Sequence, residues 1–553
     1  MTTAPSDSLL GSSAREKRRF TFVQLLGSRQ TFIVTAVLIL VGAAVLRLFN
    51  LERFGFNSDE AVYSGQAAAL AGHTDYAQLF GIFRAHPLLV HFIVSLGYRL
   101  TGVNDLVPRL VSVAFGLGLV AVGGGIGTVV RGRLVGLLTM LFIAISAYAV
   151  MVSRQMLLDG PMAFFFSLTL LFLALYVRRP RGRTLYAAAC SAGLAFLSKE
   201  TAILMVPAVL VFFMLARDVP LKLRDLAISG LIYAVTIAPF PLSLYLTGGS
   251  RLAQEFFIWQ VLRRPNHDPA FYLTVVPAMG LPLVALALVG LVIALRRRRG
   301  LDVLIVSLTV VVVAFFEVWP VKGFQYLIPL ITPVALLAAD GVLWLSGFSA
   351  RALHRFSLPY ASPATWSKLA LVGACSIVLG VGSVGLVASP AAAILATDSD
   401  ETATASTSTL PSKGIGFTAG TGGLEASRPV GNWVRQNTLA DAHFLTIGPS
   451  FANIIQFYGE RRALALSVSP NPLHRNPTYQ PVENPDGAIR TNAVQYLVYD
   501  SYSAARAPFF AHKLMIFVHK YNGILVYADY EPARGPDGSI SQVPVVLIYE
   551  VHP

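Results

Sequence analysis

Two adjacent carboxylates, Asp59 and Glu60, open the stretch SDEAVYSGQAAALAG, a few residues beyond the first long apolar run of the chain. A carboxylate at a lipid–water boundary can take a proton from a hydroxyl, ligate a hard cation or orient a second acid. Charge at such a boundary is costly, and only 13% of the 553 residues are charged, so the pair is unlike its surroundings. In a helix, Asp59, Tyr63 and Gln66 fall at i, i+4 and i+7 on one face, a spacing that also suits ordinary interface packing. A third acid, Asp159, stands directly before Gly160–Pro161 at the mouth of another apolar run. It fits either a partner for Asp59 or the N-cap of the helix that proline begins. Arg84, Lys199, Arg263, Arg264 and Lys322, with Arg154 close to Asp159, supply the cations of these loops. Such groups compensate a phosphate or simply carry their charge to the interface on an apolar stem. Asp59, Glu60 and Asp159 also have the oxygen donors of a divalent-cation site, and the need for a cation stays open.

The elements that must position these groups are membrane spans. With 55% hydrophobic residues and a mean hydropathy of +0.62, the chain is too apolar for a soluble globular protein. Its net charge of +14 lies mostly in short clusters between apolar runs, the mark of cytoplasmic loops and not of a nucleic-acid surface. Cys190 and Cys375 both fall inside apolar runs and read as packing residues, so neither a disulfide framework nor a thiolate metal site is expected. Runs of roughly spanning length cover 31–49, 109–130, 134–152, 161–177, 184–198, 201–216, 226–247, 271–295, 301–319, 325–346 and 369–389. The segment HPLLVHFIVSLGYRL, His86 to Leu100, has an apolar core of only about a dozen residues against the roughly 20 needed to cross. It is expected to lie in the interface.

That choice is tested by charge. With about eleven spans, Arg131 and Arg133, the run Arg178 to Arg183, the Arg217/Lys222/Arg224 loop, Arg296 to Arg299 and the Arg351/Arg355/Lys368 loop all share the side of the basic tail 1–30. If 86–100 crossed, every cluster would move to the opposite face, against the positive-inside rule. The N-terminus is therefore expected in the cytoplasm behind an uncleaved anchor, and the first loop, 50–108, outside. Arg154, Asp159, Lys199, Glu200, Arg251 to His267 and Lys322 then share its face. Residues 390–427, rich in Ala, Ser, Thr and Gly, read as a flexible linker. Residues 428–553 read as a small extracytoplasmic α/β domain, with a helix at NWVRQNT and strands at HFLTIG, AVQYLVYD and VPVVLIYEV. Its aromatics and the Pro-rich SPNPLHRNPTYQP suit a carbohydrate or polymer surface, and a purely structural role fits equally.

Four stretches, in order, resemble the GT-C glycosyltransferases that use polyprenyl-phosphate sugars, above all the protein O-mannosyltransferase and aminoarabinose-transferase branch. They are SDEAVYSGQAAALAG; AHPLLVHFIVSLGYRLTG followed by VPRLVSVAFGLGLV; SRQMLLDGPMAFFFSL; and the pair GLAFLSKETAILMVP and KGFQYLIPLITP, together covering about residues 31–340. The resemblance implies an all-α polytopic membrane protein of the GT-C fold, with 31–389 as its catalytic part and juxtamembrane helices in the first external loop. It implies transfer of a hexosyl or pentosyl group, with inversion, from a polyprenyl-phosphate donor in the membrane lipid to a hydroxyl of a glycan, lipid or protein. The ending YEVHP carries no retention signal, which leans toward a bacterial plasma membrane. Such a transfer needs a base for the acceptor and cations or a metal for the departing phosphate. On the resemblance, Asp59 is the base, Glu60 orients it or binds donor or metal, and Asp159 is the second acid of the site. Arg84, Arg154, Lys199, Arg263, Arg264 and Lys322 are the donor-phosphate cations, and Tyr63, His86, Glu200 and Tyr326 bind substrate. After His86 only one of the family's two prolines is kept. A Walker motif and a dinucleotide glycine fingerprint are both missing, in keeping with a lipid-phosphate donor. The competing readings are a transporter or flippase of lipid-linked glycans and a non-catalytic scaffold of envelope synthesis. Against the transporter, no internal repeat is evident and the acids lie at the surface instead of mid-bilayer.

Overall fold

The computed structural model describes residues 29–81, 86–263, 265, 268–352, 363–388, 426–534 and 540–553. Most of the expected tail 1–30 and of the expected linker 390–427 lies outside the described residues, as do Arg84 and Arg264.

Apolar runs with no water to satisfy their backbone close their hydrogen bonds internally, as helices. Among the described residues, Arg29–Leu48, Leu106–Arg131, Asp159–Arg178, Gly300–Val318 and Phe324–Ser346 are each long and apolar enough to cross a membrane. Two further runs are broken pairs, Leu223–Ile237 with Pro239–Leu246, bent by 41°, and Phe271–Met279 with Leu281–Arg297. Pro239 opens the second half of the first pair, and the second pair breaks at Gly280, whose φ of 108° a glycine adopts without strain. The count of helices meeting the length and composition of a span is thus five, or up to seven with each bent pair taken as one, against the eleven expected. The remaining expected spans coincide with shorter or interrupted helices. The run 134–152 breaks at Ser146 between Arg133–Ile145 and Ala147–Val152, and 201–216 begins as a tight 3₁₀ turn, Glu200–Leu204, before Met205–Leu215. The chain is a multi-pass membrane protein.

Small residues set the closest helix approach. A Cβ on Gly290 would overlap the Leu337 carbonyl, and one on Gly341 that of Leu286, so Leu281–Arg297 and Ile331–Ala352 pack backbone to backbone. At one end of the bundle Arg131 pairs with Asp302 and, at 3.2 Å, with Asp340, which also takes Arg297 at 3.2 Å. Cys375 is buried, whereas Cys190 lies on the outer surface of its helix and is not the packing residue expected.

The segment expected in the interface is the helix Leu89–Thr101. Its 13 residues span about 20 Å, short of the roughly 30 Å hydrocarbon core. Val90, His91, Val94, Ser95 and Tyr98 are buried, while Phe92, Leu96 and Leu100 form an exposed apolar stripe.

Residues 426–553 build a five-stranded sheet of order β2-β1-β3-β5-β4. β1 (His443–Thr446), β2 (Arg462–Ala465) and β3 (Tyr496–Asp500) are parallel; β4 (Ile524–Arg534) and β5 (Ile540–Glu550) complete it antiparallel. β1, β3 and β5 match the expected strands, and Ser427–Asn437 the expected helix; β2 and β4 are additional. This unit shares one apolar core with the first loop. Phe56, Ala61, Tyr76 and Phe80 pack among Val430, Phe451, Phe457 and Tyr458. Polar bonds seal the seam. The Tyr458 hydroxyl accepts from the Phe56 N–H at 2.7 Å and donates to Asp105 at 2.7 Å, and Arg428 Nε reaches the same carboxylate at 3.1 Å.

Candidate active site

The two neighbouring acids are separated by a helix start. Asn57 caps the helix Ser58–Ala71 through its side chain, which accepts from Glu60 N–H at 3.0 Å, and Asn57 N–H donates back to Glu60 Oε2 at 3.2 Å. This capping box turns Glu60 inward, where it is fully buried. There Arg109 donates to both its oxygens at 3.0 Å, and Met156 N–H adds a bond at 3.0 Å. Arg109 also donates to the carbonyls of Leu51, Phe54 and Gly55. With its lone pairs taken up, Glu60 anchors the loop; the donor- or metal-binding role expected for it does not fit this geometry.

One residue earlier on the helix, Asp59 points elsewhere. It is exposed to solvent yet has enough protein packed around it to be partly desolvated, as a group in a recess open to water would be. That crowding raises its pKa; Lys199 works against the rise, Asp159 adds to it, and His86 and Arg506 oppose it more weakly. Asp159 is the first residue of Asp159–Arg178, and Leu158 holds the cap position, so it is not the N-cap. Its two oxygens instead accept from Lys199 Nζ at 2.7 and 2.8 Å, and both residues are buried. Burial works against the Lys199 charge, but the Asp159 carboxylate, with Tyr326 and Glu200 adding to it, lifts the pKa above a lysine's ordinary value. The ammonium also sits 4.4 Å from the ring centroid of Tyr326, a cation–π contact.

His86 Nδ1 lies 2.8 Å from Glu200 Oε2. Burial works against the Glu200 charge, and the adjacent His86 ring reverses this to hold its pKa low. Tyr63 meets the rings of His86 and His91 edge-on. Its hydroxyl stays protonated well above the usual range through burial and the nearby Asp59 and Asp159 carboxylates. Gln66 turns away to the Gly81 carbonyl at 3.4 Å and does not share the cleft face with Tyr63. Phe256 closes on His86 at 5.5 Å between ring centroids, and Arg263 lies over Trp259 at 4.6 Å on the same outer helix, Ser250–Leu262.

Two expected phosphate cations are committed elsewhere. Arg154 donates to the carbonyls of Leu46, Arg47, Phe49 and Asn50, satisfying the orphaned end of the first span. Lys322 is buried and bonds Glu317 Oε1 at 3.0 Å and the Glu317 and Pro269 carbonyls, beside the Tyr272 ring. Nor do Asp59, Glu60 and Asp159 assemble as a cation site, because Arg109 and Lys199 occupy two of the three carboxylates. Among the described residues no three His, Cys, Asp or Glu side chains converge to hold a metal, so the donor set does not fit a divalent cation.

Sequence reasoning missed the groups above Asp59. Asn453 Nδ2 bonds Ser58 Oγ and the Tyr479 hydroxyl, each at 3.0 Å. Arg506, over the Tyr502 ring at 4.5 Å, acts electrostatically on Asp59. All four belong to the C-terminal unit, and no local signal ties them to a helix some 400 residues upstream. Arg109 carried one, as the charged residue of the quoted VPRL run.

Residues 85–243 match the family described as dolichyl-phosphate-mannose-protein mannosyltransferase. An uncharacterized protein of Aquifex aeolicus (strain VF5) is 26% identical over 358 residues, covering 61% of this chain and 68% of its own. ArnT from Cupriavidus metallidurans bound to undecaprenyl phosphate superposes with a TM-score of 0.62 at 15% identity, over 94% of this chain and 97% of ArnT. The archaeal oligosaccharyltransferase AglB from Archaeoglobus fulgidus, in complex with an inhibitory peptide and a dolichol-phosphate, gives a TM-score of 0.57 at 13% identity, over 93% and 74% of the two chains. At these identities the likeness to the solved structures is one of fold. It runs through the membrane bundle, the first loop and the C-terminal sheet together, and the chain has the GT-C fold that these structures share.

Proposed function

We propose that the protein is a membrane glycosyltransferase that moves a sugar from a polyprenyl-phosphate carrier to an acceptor hydroxyl on the external face, inverting the anomeric centre. The observation that carries the reading is one cleft holding an accessible Asp59 beside the buried Asp159–Lys199 pair. Asp59 takes the acceptor's hydroxyl proton as its oxygen bonds to the anomeric carbon. The bond from that carbon to the phosphate oxygen breaks on the opposite face, and its electron pair leaves with the phosphate. A raised pKa makes Asp59 a stronger base than an ordinary carboxylate. Lys199, held in place by Asp159, and Arg263 offset the charge on the leaving phosphate. Tyr63, His86, Glu200 and Tyr326 line the space between.

An apolar groove of about 340 Å³, lined by Ile93, Val111, Phe115, Gly118 and Phe164, suits the carrier's isoprenoid chain. Phe164 is five residues past Asp159, about 7.5 Å along the helix axis. The basic clusters between spans support a cytoplasmic N-terminus, which puts the cleft and the C-terminal sheet outside.

The test is release of free polyprenyl phosphate by the purified protein given polyprenyl-phosphate sugars, compared with folded Asp59→Asn and Asp159→Asn variants. Loss of release by Asp59→Asn and reduced release by Asp159→Asn support the reading, and undiminished release by Asp59→Asn removes Asp59 as the base. No release with any donor, together with lipid flipping in vesicles, would make the protein a transporter.

A further inference from the structure

The C-terminal unit puts four polar or aromatic side chains directly over the acidic helix, and none has a part in donor chemistry. Asn453 bonds both Ser58, the residue before Asp59, and the hydroxyl of Tyr479. Tyr502 is tied to Ser450 at the start of the helix Pro449–Tyr458. The exposed guanidinium of Arg506 lies over its ring at 4.5 Å. Tyr479 and Tyr502 both feel the Asp59 charge. The Pro-rich loop carrying Tyr479 reaches across to the membrane unit, where its turn Pro472–His474 touches the outer helix Ser250–Leu262. These groups therefore form a roof over the helix start that bears Asp59.

From this placement, and resting on the glycosyltransferase reading above, we propose that Asn453, Tyr479, Tyr502 and Arg506 form the acceptor subsite, and that the acceptor is a carbohydrate. A sugar ring presents C–H faces edged by hydroxyls. Tyrosine offers a flat apolar body with a polar tip, Arg506 supplies a forked donor that matches paired oxygens, and Asn453, with both amide hydrogens committed, holds Tyr479 in place. The position is also the one the reaction needs, since the acceptor must approach Asp59 opposite the phosphate. A peptide acceptor would favour an open strand edge, to which it can add as a further strand. Here the edge strand nearest this loop, β2, is bridged to it at Ala465–Pro481, where proline has no N–H to donate, and the other edge, β4, lies at the far end of the sheet.

The experiment is saturation-transfer NMR on the full chain in nanodiscs. The probes are methyl glycosides of a hexose, a pentose and an N-acetylhexosamine, and a threonine-containing hexapeptide. At least one glycoside should bind through its ring protons, and the hexapeptide should not. Tyr502→Ala and Arg506→Gln should each weaken that glycoside at least tenfold, with Tyr502→Phe retaining most of the binding. Undecaprenyl phosphate affinity and melting temperature should stay at wild-type values in all three variants. Glycoside binding unchanged in Tyr502→Ala and Arg506→Gln, binding of the peptide alone, or binding of no probe would overturn the subsite. Failure of the underlying reading shows separately, as wild-type protein that releases no polyprenyl phosphate.

Discussion

Asp59 and Glu60 have the same charge and adjacent places in the chain, and the first turn of one helix sends them to opposite fates. The sequence Asn57-Ser58-Asp59-Glu60 has the spacing of a capping box, a local signal that went unused when Glu60 was read into the chemistry. What it lacked was Arg109, 49 residues away. Glu60→Gln should therefore act on stability: it leaves a buried, half-paired guanidinium, a loss of about 3–5 kcal/mol, seen as a clearly lower melting temperature. Unchanged melting with lost turnover would return Glu60 to the chemistry. Asp59→Asn should do the reverse, lowering kcat by about 10²–10⁴-fold with the melting temperature kept. The pH profile adds a sign. Asp59 must be ionised to act as base, so the rate rises with pH through its raised pKa. Lys199 is the strongest influence holding that pKa down, and Asp159 pushes it up. Lys199→Gln should accordingly move the acidic limb of kcat to higher pH, and Asp159→Asn to lower pH.

At the scale of elements, the apolar runs were legible as helices, because a backbone in lipid has no alternative to the helix. Their ends were less so. Ser146 and Pro239 break runs that read as continuous, and Glu200–Leu204 tightens into a 3₁₀ turn that sets Lys199 and Glu200 at the cleft. Cations read as phosphate ligands also proved to be parts of the scaffold, since Arg154 serves a helix end formed by carbonyls more than 100 residues earlier. The short helix Leu89–Thr101, read from its length and from the loop charges as an interface helix, is short enough for that placement. Its stripe of Phe92, Leu96 and Leu100 should sit about 5–10 Å into the headgroup–acyl boundary. A Phe92→Trp variant in liposomes should thus be quenched more strongly by lipids labelled near the headgroup than by lipids labelled at the chain end. Stronger quenching from the chain end would make this segment a span and reverse the assigned faces.

For the whole molecule, sequence separated a membrane part from a soluble one but could not show that they share a core. The three foreseen strands had apolar runs, whereas β2 is only Arg462–Ala465 and β4 carries charge at Asp529 and Glu531. Behind the roof of the cleft, Asp500 ends β3 and caps the helix Ser501–Arg506 through Oδ1, 2.6 Å from Ser503 N. Its Oδ2 has no hydrogen-bond partner among the described residues, and burial pushes its pKa up to about 7. Unfolded, the same group titrates near about 3.9. The folded chain then holds the proton more tightly, so stability falls as pH rises from about 4 to about 7 and levels off above, by on the order of 4 kcal/mol. Asp500→Asn keeps a good cap and should show a smaller drop in melting temperature between pH 4.5 and 8 than wild type. An equal drop would place the titrating group elsewhere.

The seam between the first loop and the C-terminal unit also sets a timetable. Phe56 and Tyr458 are joined by a hydrogen bond across 402 residues of chain. At synthesis rates of about 5–20 residues per second, roughly 20–80 s separate the emergence of the two. Through that interval the loop bearing Asp59 is outside the ribosome with the apolar side chains of Phe56, Tyr76 and Phe80 uncovered. The floor of the cleft is thus among the first parts of the protein to be made and among the last to be finished. A nascent chain stalled before residue 426 should be open to protease at 50–80, and a chain released whole should be protected there.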